Sequence, residues 1–291
     1  PEATCDGDFF DLGGHSVLVL RLLARIDRAF GVRPGVGDFL AAPTLSGFAA
    51  TVDRLRAAPA GAGAEDDAAD AGLWQMLTLR DGPAEGPVVV SLNQPFLYHN
   101  VARVFGVEAP VVNLHISAPD ALQGPDAPGF DAVIDSAAGQ VRAAFRGRPL
   151  FLAGQCVDGV IALRLAQTLK AQDERVAGVA MIDSWAPDAD RDLTPAQRRR
   201  RRRVAKARRW AHYIGRGLRG EAGLADILSR TRAGQRLLRR LGRLEPVTEA
   251  ERLAREANAR LVEASSNHVF DGYDGAVMLF ATESQPQRAE K

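Results

Sequence analysis

Residues 151–166, Phe151-Leu152-Ala153-Gly154-Gln155-Cys156-Val157-Asp158-Gly159-Val160-Ile161-Ala162-Leu163-Arg164-Leu165-Ala166, constrain this chain more than any other stretch. A short apolar run enters a tight glycine-flanked turn, and apolar residues at helical spacing follow. Strand, sharp turn, helix is the order that a nucleophile elbow requires, with one side chain pushed out at the end of a sheet strand. The small residues around the turn let strand and helix approach closely. A thiol at that point sits at a helix N-terminus, where the dipole and free amides favour the thiolate. The elbow pattern usually carries serine, with a glycine two positions on. Here Cys156 stands for the serine and Asp158 for that glycine, and Gly159 follows. The alternative at this point is a buried cysteine in an ordinary strand–helix turn.

The chain is long enough, at 291 residues, for one sizeable α/β domain and a small one. A net charge of +1 predicts no bulk attraction to nucleic acid. Cys5 and Cys156 provide no disulfide framework, and nothing at the start resembles a signal peptide. No apolar run approaches the roughly 20 residues that span a bilayer. The expectation is a cytoplasmic protein with reduced thiols, no metal, and no nucleic-acid or membrane partner. Residue 1 is proline and the chain stops at Lys291 shortly after a strand pattern, so a fragment of something larger is expected.

At the N-terminal end, Gly7-Asp8-Phe9-Phe10-Asp11-Leu12-Gly13-Gly14-His15-Ser16 leads into the amphipathic pattern Val17 to Ile26. Ser16 is well placed as the helix N-cap. The motif, with Phe30-Gly31-Val32, Asp38-Phe39-Leu40 and Pro43-Thr44-Leu45 after it, resembles peptidyl and acyl carrier proteins. That resemblance covers about 55 residues. It implies a four-helix bundle, N-terminally truncated here, over residues 1–56, with 4′-phosphopantetheine carried on Ser16 by a phosphopantetheinyl transferase. A flexible arm there raises the effective concentration of an acyl group at a neighbouring site. His15 reads as a contact for a modifying or partner enzyme. Residues 57–72 are rich in Ala, Gly and Asp and read as a flexible linker.

Beyond the linker, strand patterns at Pro87–Leu92, Pro110–Leu114, Pro149–Ala153 and Val176–Ile182 alternate with helical ones at about Leu97–Phe105 and Phe130–Phe145. Alternation of this kind implies a mostly parallel sheet with sites at strand C-terminal ends. Asp183 ends the strand after the elbow, 27 residues beyond Cys156 (183 − 156), at the sheet edge where an acid could orient a histidine for the nucleophile. A helix N-cap is the plainer reading of Asp183.

With the elbow and the upstream carrier, residues 73–291 resemble the type I thioesterase that ends nonribosomal peptide and polyketide synthetases. The resemblance implies an α/β-hydrolase fold and makes Asp183 the triad acid. The family usually uses serine. It has a cysteine branch with tryptophan before the cysteine, a place that Gln155 takes here. The family's histidine follows one more strand, which puts it beyond Lys291. His268 is the substitute within the chain, and His99, His115 and His212 have weaker claims. Oxyanion stabilisation is expected from the Val157 amide and one amide in the loop Leu92–Phe96. Pro95 has no N–H, which leaves Asn93 or Gln94, with Asn93 preferred. Residues 187–265 match a helical lid in position. They contain Arg198 to Arg203, either a solvated face or a dock for a phosphate, an acidic carrier face or an acidic acyl chain.

The resemblance therefore implies a terminal carrier–thioesterase unit working with upstream condensation and adenylation modules. It moves an acyl or peptidyl chain from Ser16 to Cys156 and releases it by hydrolysis, cyclisation or lactonisation. Acyl transfer to another carrier or small nucleophile, and a non-catalytic docking module, are the alternatives.

Overall fold

The computed structural model describes residues 4–14, 16–57, 72–104, 108–184 and 249–281, with isolated positions between 194 and 240. It divides into two units, Pro1–Ser184 with Asp271–Phe280, and Trp185–Phe270 with Ala281–Lys291.

In the first unit, three helices follow the glycine-rich N-terminal motif: α1 (Ser16–Phe30), α2 (Val36–Ala41) and α3 (Leu45–Ala57). Their apolar faces close on a core of Val19, Ile26, Phe39, Phe48 and Val52, onto which Phe9, Phe10 and Leu22 pack. Three helices of the expected four-helix bundle are thus present. The Phe9, Phe39 and Phe48 rings meet edge-on, Phe9–Phe39 at 5.2 Å and Phe39–Phe48 at 5.0 Å, the favoured geometry for aromatic pairs. The expected linker falls almost entirely on residues outside those described.

The sheet of the first unit contains β1 (Trp74–Arg80), β2 (Val88–Leu92), β3 (Val111–Ile116), β4 (Leu150–Gln155), β5 (Val176–Ile182) and β6 (Val277–Phe280). Their order across the sheet is β1-β3-β2-β4-β5-β6. All neighbouring pairs are parallel except β1 with β3. The helices α4 (Pro95–Val104), α5 (Phe130–Phe145) and α6 (Val157–Ala171) lie between strands in the chain, as parallel connections demand. This mostly parallel sheet with crossover helices fits the expected α/β-hydrolase fold. The strand patterns of the sequence match β2 to β5 within two residues at each end. β1 went unread, because its Trp74-Gln75-Met76-Leu77-Thr78 alternation is half-buried and weak. Trp74 fixes it: its indole is buried, its Nε1 donates to Val133 O (3.0 Å), and Gln140 Nε2 donates to Trp74 O (2.8 Å).

Central strands and α6 are apolar almost throughout, as expected of elements covered on both sides. In the second unit, α7 (Glu249–Asn267) buries Ala257, Leu261 and Ser265, a stripe four residues apart. It overlaps the expected lid. Most of that lid, and all of the Arg198–Arg203 run except Arg200 and Arg203, lies outside the described residues. Those two arginines are exposed on helical backbone. Among the described residues, no helix is long and apolar enough to cross a membrane.

Two glycines of the first unit make opposite demands. A Cβ on Gly159 would lie 1.9 Å from Ser184 Oγ, whereas one on Gly139, in the exposed middle of α5, would meet nothing within 4 Å. Gly159→Ala should lower unfolding stability by about 1–3 kcal/mol through overpacking. Gly139→Ala should raise it by about 0.5–1 kcal/mol through helix propensity. Urea unfolding midpoints of the two variants should therefore move in opposite directions.

Candidate active site

Cys156 sits between β4 and α6 at φ 57, ψ −119, a left-handed conformation that is strained for any residue but glycine. It is exposed, which separates it from the buried structural cysteine that the sequence left open. The turn is tight for a reason visible in its glycine: a Cβ on Gly154 would stand 2.1 Å from Asp158 O. Strand and helix backbones therefore touch at this point. Cys156 N–H donates to Ile182 O (2.8 Å), stitching the turn to β5.

The register of β4 against β5 pairs Gln155 with Ile182, so Cys156 and Asp183 each lie one residue past the last pair, at the same edge of the sheet. Asp183 also has positive φ, 48°, and its N–H donates to Phe280 O (2.7 Å). Val157 opens α6, where first-turn amides have no intrahelical acceptor.

The loop after β2 departs from the sequence reading. Asn93 was the preferred oxyanion donor on sequence grounds, but its N–H donates to Leu114 O (2.9 Å) and its side-chain Nδ2 to Asp158 Oδ1 (2.7 Å). Its amide is thus consumed by β3, and the next amide in the loop is that of Gln94. Asn93 and Gln94 are both left-handed, at φ 49 and 46. Asn93 Oδ1 accepts from Ile116 N–H (3.0 Å) and its carbonyl from Asn113 Nδ2 (2.7 Å). Asn113 Nδ2 also reaches Ser91 Oγ (2.9 Å), which donates to Val112 O (3.0 Å).

Asp158, in the glycine position of the elbow pattern, is 4% exposed. Burial pushes its carboxyl up to about 6, although hydrogen bonds from Asn93 and Gln94 pull the other way. Sequence reasoning noted Asp158 as an irregularity in the pattern and missed its partner. Tyr98 on α4 is buried as well, and its phenol is raised by that burial and then by the charge of Asp158.

The histidines divide. His99 on α4 is buried, and its ring lies 5.3 Å from that of Phe10. Its pKa is lowered first by burial and then by Arg103, against an opposing effect of Asp8. His115 on β3 is lowered by burial, against a hydrogen bond that its ring donates to the Gln75 backbone carbonyl. His268 follows α7 in the second unit, its N–H on Ala264 O and its ring edge-on to Phe270 at 4.9 Å. His15 and His212 lie outside the described residues. Among the described residues, no group of three or more His, Cys, Asp or Glu is placed to hold a metal ion.

The expected attachment residue, Ser16, is the first residue of α1. The turn before it is set by Gly13 at φ 93 and by Gly14, whose Cβ would strike the Phe9 ring at 2.1 Å. Asp11, Leu12 and Gly13, in the turn ahead of α1, are exposed, which fits a covalently attached arm. The same motif lies against α4. Arg103 pairs with Asp8 (3.2 Å) and Asp11 (2.9 Å), and the Phe10 ring lies 6.4 Å from that of Phe96.

Residues 97–277 match the thioesterase domain model and residues 1–52 match the phosphopantetheine attachment site model. The chain belongs to the thioesterase domain family, preceded by a domain of the type that carries covalently attached 4′-phosphopantetheine. It is similar to enterobactin synthase component F of Escherichia coli O157:H7, 27% identical over 193 residues, 63% of this chain and 14% of that protein. It is also similar to a dimodular nonribosomal peptide synthase of Bacillus subtilis (strain 168), 29% identical over 186 residues, 64% of this chain and 7% of the other. The chain thus spans a small part of the curated relatives it matches. A solved four-domain nonribosomal peptide synthetase, bound to AMP and glycine, aligns with 98% of this chain and 21% of its own at 20% identity and TM-score 0.50, a likeness of fold.

The elevated Asp158 is directly measurable. A carbon-detected NMR titration of its carboxyl should show a midpoint near 6. Asp158 binds its proton more tightly in the folded chain than in the unfolded one, whose ordinary value is 3.8. Its contribution to stability is therefore fully present below about 3.8 and is lost as pH rises through about 6. A midpoint below 4 would contradict the buried placement.

Proposed function

We propose that this chain is the terminal carrier–thioesterase unit of a nonribosomal peptide synthetase, with Cys156 as acyl acceptor, Asp183 as triad acid and Ser16 as the attachment residue. The observation that carries the reading is the Gln155–Ile182 pair, which leaves a strained, exposed cysteine and a carboxylate side by side at the C-terminal edge of a parallel sheet. Phosphopantetheine on Ser16 supplies a thiol that holds the acyl or peptidyl chain as a thioester. The Cys156 sulfur attacks the thioester carbonyl, a new C–S bond forms to Cys156, and the donor C–S bond breaks with its sulfur leaving as thiolate. Asp183 orients the triad histidine, whose imidazole takes the Cys156 thiol proton and returns it to the leaving sulfur. The amides of Val157 and Gln94 receive the developing oxyanion. Release from Cys156 is by hydrolysis, cyclisation or lactonisation.

The upstream partners are the condensation and adenylation modules and a phosphopantetheinyl transferase, in the cytoplasm. Contact of the carrier loop with α4, the helix directly after the oxyanion loop, supports delivery in cis. A thioester on Cys156 stays as activated as its donor, which suits a demanding release such as ring closure or attack by an amine.

Loading the full-length protein with an acyl group and following it by intact-protein mass spectrometry tests the reading. Ser16→Ala should take no arm. Cys156→Ala should leave the acyl group on Ser16 and slow release by about 10³-fold or more, with Asp183→Asn also strongly impaired. Release from Cys156→Ala at the normal rate would overturn the assignment. Cys156→Ser should lose yield of a cyclised or amine-captured product relative to free acid. Equal product profiles would remove the argument for a thiol.

A further inference from the structure

The elbow pattern ordinarily has glycine where this chain has Asp158, and a buried carboxyl is a costly replacement for no side chain at all. At 4% exposure an apolar residue, or glycine itself, would fill the place without desolvating a carboxyl group. The partner of Asp158 suggests why it is there. Asn93 offers four polar groups to its surroundings. Three of them, N–H, C=O and Oδ1, bond to Leu114 O, Asn113 Nδ2 and Ile116 N–H, which all belong to β3. The fourth, Nδ2, donates to Asp158 Oδ1 at 2.7 Å and ties the loop to the helix that begins at Cys156. The loop needs such ties, because two consecutive left-handed residues other than glycine, at φ 49 and 46, persist only where their surroundings over-determine them.

We propose that Asp158 is a positioning residue: through Asn93 it locks the Asn93–Gln94 turn against the Cys156 helix, so that the Gln94 N–H is held as the oxyanion donor that Asn93 cannot be. This deepens the function proposed above and rests on Cys156 as acyl acceptor. The high Asp158 pKa is consistent with it, since both protonation states retain an oxygen that accepts from Asn93 Nδ2. Asp158 itself touches no reacting atom in this scheme.

Two reactions of Cys156 separate positioning from scaffolding. Acylation by the N-acetylcysteamine thioester of acetic acid develops an oxyanion, and alkylation by iodoacetamide does not. Both are followed at Cys156 by peptide mass mapping after reaction at pH 8.5, since Cys5 is also exposed and an ordinary thiol is about half ionised there. Asp158→Ala should slow acylation by about tenfold to a hundredfold, less than the roughly 10²–10³-fold of a donor removed outright, and leave alkylation within about twofold. Asp158→Asn, which keeps an acceptor oxygen for Asn93, should restore acylation to within about threefold of the parent. Unimpaired acylation in Asp158→Ala, or equal loss of both reactions, would overturn the proposal.

Hydrogen exchange provides a measurement that needs no chemistry. The peptide covering residues 90–98 should exchange several-fold faster in Asp158→Ala, and unchanged protection there would also overturn it. A parent protein that is alkylated but never acylated would count against Cys156 as acyl acceptor, while the exchange result would still decide what Asp158 does to the loop.

Discussion

The reactive edge of this protein depends on how closely the chain can fold back on itself between β4 and α6. The backbone of Gly154 lies against that of Asp158, and Gly159 lies against Ser184 just after β5. Only residues without a Cβ permit both approaches. The cost of the turn falls on Cys156, in a conformation worth roughly 1–3 kcal/mol of strain that the packed strand and helix must sustain. Buried α6 side chains such as Val160, Ile161 and Leu165 supply that support, at about 1.5–3 kcal/mol for each large apolar side chain removed from water. The exposed thiol is therefore a product of core packing.

The same edge holds an unusual amount of buried polarity. Ser91, Asn93, Asn113 and Asp158 form a connected network across β2, β3 and α6. Networks of this kind specify one arrangement where an apolar core would tolerate several, although here the buried Asn113 Oδ1 has no hydrogen-bond partner among the described residues. Here the arrangement specified is that of the left-handed loop ahead of α4.

The carrier end meets the sheet domain through contacts of a different strength. Arg103, Asp8 and Asp11 are partly exposed, and ion pairs of that kind contribute at most about 1 kcal/mol each. The Phe10–Phe96 and Phe10–His99 ring contacts add apolar area. Asp8 has a second duty, since its Oδ1 accepts from Phe10 N–H (2.8 Å) and so shapes the loop that presents the ring.

What the sequence determined by itself was local. The order of β2 to β5 and the helices between them, the elbow, the start of α1 at Ser16 and the placement of Cys156 and Asp183 at strand ends were legible, because periodicity and turn chemistry act over a few residues. Tertiary structure decided what depends on partners far along the chain. The antiparallel seat of β1 needed Trp74 to find Val133 O. The loss of the Asn93 N–H as a free donor needed β3 beside it, and Asp158 found Asn93 65 positions away. Which amide remains free at a sheet edge is set by register and packing, and no pattern within the loop records it.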